Sequence, residues 1–154
     1  MPDLDIRVDD LSGEATRALV AHHLVGMRAT SPACSVHALD LDGLRGPGVT
    51  FWSGWDGDEL VVIGALQQLD DASGELKSMR VTDAARGTGA GRAILRHIVA
   101  EAEARGIRTL WLETGSADDF LPARRLYESE GFTACGPFAD YVEDPFSVFM
   151  TRAL

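Results

Sequence analysis

The chain has little cysteine and little basic charge. Among its 154 residues there are two cysteines, and 14 lysines and arginines stand against 24 acids, a net charge of −10. Two cysteines, Cys34 and Cys135, make no disulfide scaffold. The thin basic content excludes general nucleic-acid binding, which needs a positive footprint. No apolar run nears the ~20 residues that cross a bilayer, so no membrane association is expected. The opening Met1-Pro2-Asp3-Leu4-Asp5 lacks the apolar stretch of a secretory signal, so a cytoplasmic location with reduced thiols is expected. The acidity permits a cationic substrate, although solubility charge is the simpler account of it.

What remains is ordinary for a folded domain. Hydrophobic residues make up 45% of the chain and charged residues 25%, and the length suits one domain. Leu4 to Val8 alternates as a first strand does. Residues 12–28 place Ala15, Leu19, His23, Leu24 and Met27 at helical spacing. A short helical turn is expected around Asp40 to Arg45. Val49 to Trp55 and Glu59 to Leu69 read as strands joined at the turn signal Asp56-Gly57. A further strand, Glu75 to Val81, completes an antiparallel meander. Ile94, Leu95, Ile98, Val99 and Ala102 form one helical stripe ending at Gly106. Thr109 to Glu113 is a buried strand. A helix from Asp118 or Asp119 to Glu130 follows, with one of these aspartates as N-cap. Phe132 to Ala139 and Phe146 to Arg152 are the last strands. No repeat or linker interrupts the series, which predicts one compact α+β domain.

The segment with chemistry is Glu75-Leu76-Lys77-Ser78-Met79-Arg80-Val81 followed by Arg86-Gly87-Thr88-Gly89-Ala90-Gly91-Arg92. A strand leads into a glycine loop that opens a helix. Glycines let backbone approach a ligand, and free N–H groups at a helix start favour an anion. A phosphate or pyrophosphate is the ligand class so named. The loop ends Gly91-Arg92-Ala93 and lacks the Gly-Lys-Ser/Thr of a P-loop. A Rossmann fingerprint needs glycine where Arg92 stands and an apolar strand before it. Glu113 could mimic the ribose-binding acid of that fold, but too little chain follows to complete it.

The loop Arg86-x-x-Gly89-x-Gly91, together with Leu126-Tyr127-Glu128 and Gly131-Phe132, resembles the GCN5-related N-acetyltransferase (GNAT) family. The predicted element order is similar to that family's fold over nearly the whole chain. His22-His23-Leu24, Phe51-Trp52-Ser53 and Phe138-Ala139-Asp140-Tyr141 look like a bacterial subgroup of it. The resemblance implies the acyl-CoA N-acyltransferase fold, a mixed central sheet of about seven strands flanked by helices, over residues 1–154. It also implies acetyl-CoA as co-substrate, no metal, and direct acetyl transfer to an amine. Backbone N–H groups of Arg86, Gly87, Thr88, Gly89, Ala90, Gly91 and Arg92 would cradle the pyrophosphate. Main-chain groups of Met79 and Val81 would pair with the pantetheine arm, the Val81 N–H facing the thioester carbonyl. Tyr127 would protonate the leaving sulfur. Taken alone, Tyr127 reads rather as a core-capping tyrosine, and the motif context reverses that preference. Glu75 matches the strand glutamate that serves as base in some members, and a solvated strand-edge carboxylate is the competing reading. One departure stands out: many relatives carry asparagine seven residues before the tyrosine, where this chain has Phe120.

Acceptor-side candidates are His37, which follows a loop, Trp52 on the second strand, and Tyr141 beside the acidic Glu143-Asp144-Pro145. His23, on the apolar helix face, reads as a satisfied core histidine, and His22 as exposed. Alternation puts Phe51 and Trp55 on one face and Trp52 on the other. The expected partner is a small-molecule amine, with a protein or peptide amine as the alternative. The rivals are an acyl-CoA-binding sensor of the same fold and a dinucleotide oxidoreductase. Dimers are frequent in the family, and the sequence leaves a homodimer open.

Overall fold

The computed structural model describes residues 3–32 and 39–154. Its strands are β1 (Asp5–Val8), β2 (Val49–Asp56), β3 (Glu59–Gln68), β4 (Ser73–Val81), β5 (Thr109–Gly115), β6 (Thr133–Cys135) and β7 (Ser147–Ala153). Its helices are α1 (Glu14–Thr30), α2 (Leu41–Leu44), α3 (Ala90–Ala104) and α4 (Leu121–Ser129). The strands form one mixed sheet of seven, in the order β1-β2-β3-β4-β5-β7-β6. This is the α+β architecture expected from the element order. No helix among the described residues is long and apolar enough to cross a membrane.

Local chemistry explains the first half of the sheet. Asp56 pairs with Glu59 across Gly57-Asp58, and Gly57 takes φ 62°. That left-handed conformation suits glycine and lets β2 turn straight back as β3. Helices then cover both faces. On one, Ile94, Leu95 and Ile98 of α3 pack with Trp52, Val62, Leu66, Leu76 and Leu112. On the other, Leu11, Leu19, Val20 and Leu44 pack against Phe51, Ile63 and Ala65. Alternation on β2 therefore holds, since Phe51 and Trp52 enter different cores. Gly64 of β3 passes under α3 so closely that a Cβ there would lie 3.0 Å from the Ile98 methyl.

Several expectations need correction. The final strands are shorter or shifted: β6 covers only Thr133–Cys135 of the predicted 132–139. Neither Asp118 nor Asp119 caps α4. Both lie in a 3-10 turn, Asp118–Phe120, and α4 starts after Phe120 with Pro122 in its first turn and no side-chain cap. Proline's fixed φ suits a helix start and replaces the expected aspartate signal.

The feature that positions the site is a parting of strands. β4 and β5 run parallel and pair from Ser73–Thr109 only as far as Leu76–Leu112. Beyond that point β4 stays with β3 as far as Val81, and β5 stays with β7 as far as Gly115. A bulge accompanies the separation. Ala65 faces Lys77 while Ile63 faces Arg80, so β4 advances three residues while β3 advances two. Within it Ser78 takes φ 55°, an uncommon conformation for a residue other than glycine.

Ile98 is fully buried between α3 and the sheet. Ile98→Ala should lower unfolding free energy by about 2–5 kcal/mol in urea titration. Val25→Ala, on the exposed side of α1, should stay within about 0.5 kcal/mol.

Candidate active site

The glycine loop stands at the open end of the parted strands. A 3-10 turn, Asp83–Ala85, leads into it. Gly87 and Gly89 take φ 76° and 91°, and α3 begins at Ala90. Ala93 N–H donates to the Gly89 carbonyl at 3.0 Å. This is the first bond of the helix, so the N–H groups of Ala90, Gly91 and Arg92 have no partner within it. Gly91 also brings α3 close to its neighbours, since a Cβ there would lie 3.3 Å from both Val81 and Leu126. The loop's two arginines behave differently. Arg86 is exposed beside Asp83 at 3.1 Å. Arg92 instead bonds Ser129 at 3.0 Å and Glu130 at 3.1 Å. Glu130 also receives Arg96 at 2.6 Å, and these hydrogen bonds, led by that from Arg96, hold its carboxyl below the usual range. The side chain of Arg92 thus ties α3 to α4, and Glu130 is an ion-pair partner rather than part of a solvated helix face.

Tyr127 sits on α4 facing the parted strands. It is buried, edge-on to Phe132, and its hydroxyl donates weakly to the Met79 sulfur at 3.9 Å. Burial pushes the hydroxyl up to about 12, with the Glu113 charge adding to the shift, so it is a proton donor at neutral pH. Phe120 has a packing role at the end of β5. Its ring lies over Gly115, where a Cβ would come within 2.2 Å of it.

A second group of polar residues lies on the α1 face of β4. Glu75 is only 4% exposed and sits on an interior strand, which removes the reading of a solvated edge carboxylate. Its Oε2 accepts from the Tyr141 hydroxyl at 2.5 Å and from Lys77 Nζ at 3.0 Å. Lys77 also donates to the Tyr141 oxygen at 3.1 Å. Phe138 and Phe149 pack on the Tyr141 ring. Burial, with the Glu75 charge adding to it, raises the Tyr141 hydroxyl far above its usual range. Glu113 completes the group. Burial pushes its carboxyl up to about 7, against a smaller opposing pull from Lys77. Met27, Glu75, Lys77, Ser78, Glu113 and Tyr141 line a pocket of about 40 Å³, room for at least one water.

Glu75 and Tyr141 therefore meet, while Tyr127, Met79 and Val81 share the α3 side of β4. Trp52 does not join them. It is buried on the α3 face, edge-on to His97 with Arg105 above its ring, and its role is packing. His37 and Cys34 lie outside the described residues. His23 is buried, as its helical face required, but its Nδ1 has no partner, so it is not the satisfied histidine expected. Burial lowers its pKa to about 4, and the Arg80 charge adds to the shift. Lys77 was missed, and Glu113 was weighed only as a nucleotide ligand. Register holds the missing signal: Glu113 is the first residue of β5 beyond its last pairing with β4, a relation that no local pattern carries.

The sequence profile of the Acetyltransferase (GNAT) family matches residues 17–132. The chain belongs to this family. It is 54% identical to the uncharacterized N-acetyltransferase YsnE of Bacillus subtilis, over 98% of this chain and 100% of that one. It is 49% identical to the uncharacterized N-acetyltransferase YedL of Escherichia coli, over 97% and 94%. A GNAT family acetyltransferase from Elizabethkingia anophelis, solved with acetyl-CoA bound, superposes with a TM-score of 0.66 at 14% identity, over all of both chains. The chain is thus an acyltransferase of the GNAT fold, a fold that uses acetyl-CoA.

Two shifted groups act on stability in opposite senses. The folded-state pKa of Glu113 is raised from 4.5 to about 7, so its contribution is full below pH 4.5 and is lost as pH rises through 7. That of His23 is lowered from 6.5 to about 4, so its contribution is full above pH 6.5 and is lost as pH falls towards 4. The stability advantage of wild type over Glu113→Gln should therefore shrink by on the order of 3 kcal/mol from pH 4.5 to 7. Urea titrations of the two proteins across that range check the sign. A constant difference would contradict the burial account.

Proposed function

We propose that the protein moves the acetyl group of acetyl-CoA to a primary amine of a small, amino-acid-like molecule by direct attack, as one domain spanning residues 1–154. One observation carries this reading: β4 and β5 part beyond Leu76–Leu112, with Tyr127 beside Met79 on one face of β4 and Glu113 in the pocket with Glu75 and Ser78 on the other. Tyr127 and Glu113 are near enough for the charge of one to shift the other.

In this reading the N–H groups of Gly87 and of residues 89–92 hold the pyrophosphate, those of Arg86 and Thr88 being given to Asp83 and Ala85, and main-chain groups of Met79 and Val81 align the pantetheine arm in the gap. Glu113 takes the proton that an ammonium must lose before it attacks. This role was expected of Glu75, but its Oε2 already accepts from Tyr141 and Lys77. Glu75 instead holds those two side chains in place and attracts a cationic acceptor. As the N–C bond forms, the Val81 N–H stabilises charge on the thioester oxygen. As the C–S bond breaks, Tyr127 gives its proton to the sulfur.

Free-thiol release from acetyl-CoA, measured against a panel of amines, amino acids and peptides, tests the reaction. Tyr127→Phe should lower kcat by about 100-fold while the acetyl-CoA Kd stays close to wild type. Unchanged turnover would remove Tyr127 as the acid. In wild type, kcat/KM should rise with pH through about 7, and Glu113→Gln should lose that limb. Gly89→Glu should lose CoA binding in calorimetry yet still fold. Tight CoA binding without thiol release from any acceptor would instead make the protein an acyl-CoA sensor.

A further inference from the structure

The α1 face of β4 carries a cation without a counterion. The bulge puts Lys77 and Arg80, three residues apart, on the same face, because their partners Ala65 and Ile63 both enter the α1-side core. Lys77 is paired with Glu75, whereas Arg80 forms no ion pair among the described residues. The terminal nitrogens of its guanidinium lie against α1, where a Cβ on Gly26 would sit 3.2 Å from the nearer one. One of its terminal nitrogens is 3.3 Å from His22 Nε2. Its own Nε is buried and unbonded.

The charges nearest Arg80 are of both signs, Arg86 positive and Asp83 negative, and Asp83 is shared. Asp83, the acid one turn away, is engaged by Arg86 at 3.1 Å and His22 at 3.7 Å. Burial, and then the nearby Arg86, lower the Arg80 pKa, against a smaller opposing pull from Asp83. A partly buried cation beside further cations is costly unless an anion joins it. Glycine inside a helix also costs about 1 kcal/mol relative to alanine, and here Gly26 makes the room that the guanidinium occupies.

Two further polar atoms on the same seam lack partners: His23 Nδ1 and Ser78 Oγ, on residues each 8% exposed. Ser78 lines the pocket that holds Glu75 and Glu113. Met27, one turn of α1 beyond His23, lines it too. Arg80 therefore packs on the stretch of α1, His22 to Gly26, that adjoins Met27 of the pocket.

We infer that Arg80 binds a carboxylate of the acceptor at the seam between α1 and β4. The acceptor is then a molecule with an amine and a carboxylate a few bonds apart, such as an α- or β-amino acid. This rests on the amine-acetylation reading above. A planar guanidinium suits the task, since it can meet a carboxylate with two parallel hydrogen bonds. The buried serine and the neutral histidine supply further polar contacts. A phosphate of CoA is the other source of an anion near this loop, and the experiment separates the two.

The test uses the L-amino acids and β-alanine, each beside its carboxamide. Binding to the protein–CoA complex is read by thermal shift, and thiol release from acetyl-CoA by absorbance. At least one free acid should bind and react better than its amide. Arg80→Gln should raise the KM of that acid by about tenfold to a hundredfold. It should leave the amide and the acetyl-CoA KM near wild type, and Arg80→Lys should recover part of the loss. Thiol release with acid and amide equivalent would overturn Arg80 and keep the reaction. A preference for the acid in binding without any release would keep Arg80 and overturn the reaction. Neither binding nor release with any acid would overturn the carboxylate site, as would an Arg80→Gln effect confined to acetyl-CoA.

Discussion

Beyond the Leu76–Leu112 pair, β4 and β5 exchange no further ladder hydrogen bonds, and the site is built around that loss. Two parallel strands do not part inside a sheet without leaving backbone groups to be satisfied elsewhere. Here the outer neighbours keep hold: β3 retains β4 and β7 retains β5. The inner edges are left facing a gap with main-chain donors and acceptors along it. That suits an extended ligand that can pair with the exposed β4 edge as an added strand would. The bulge at Ser78 does a second thing. It shifts the alternation of β4, so that Arg80 joins Lys77 on the α1 face while Met79 and Val81 turn to the α3 side.

Charge is distributed to match. The protein is strongly acidic, yet the acids near the glycine loop are occupied: Glu130 by Arg92 and Arg96, and Asp83 by Arg86. The attraction for an anion at the loop then rests on free backbone N–H groups and the helix start, which need no side-chain charge. Two carboxylates face the pocket on the α1 side, Glu75 buried and Glu113 partly so. Low solvation there separates their behaviour: Glu75 is held by two donors, and Glu113 is pushed towards neutrality. Two glutamates of the same chemistry thus acquire different properties from their surroundings.

Much of this was legible in advance because it is local. Element order follows from hydrophobic period and turn chemistry, and both act within a few residues. The glycine loop and Tyr127 were readable for the same reason, as motifs with fixed spacing. Trp52 was misjudged because alternation assigns faces but does not say which face is covered, and both turned out to be core. Asp118 and Asp119 matched a capping signal that Pro122 made unnecessary. For Glu75 the reading as an edge carboxylate stayed open beside that of a base, because strand order, which places β4 between β3 and β5, is not written in the strand itself.

By itself the sequence determined the α+β class, the strand and helix order, and the glycine loop that opens α3. Each depends on residues close together in the chain, where backbone geometry and side-chain period act directly. Tertiary structure alone decided where β4 and β5 part, that Glu75 meets Tyr141 and Lys77, and that Arg80 forms no ion pair among the described residues. Those properties depend on register, burial and the neighbours brought in from distant segments. Glu75 meets Tyr141 from 66 residues away, and Arg80 meets His22 from 58. No pattern within a single element encodes contacts at that range.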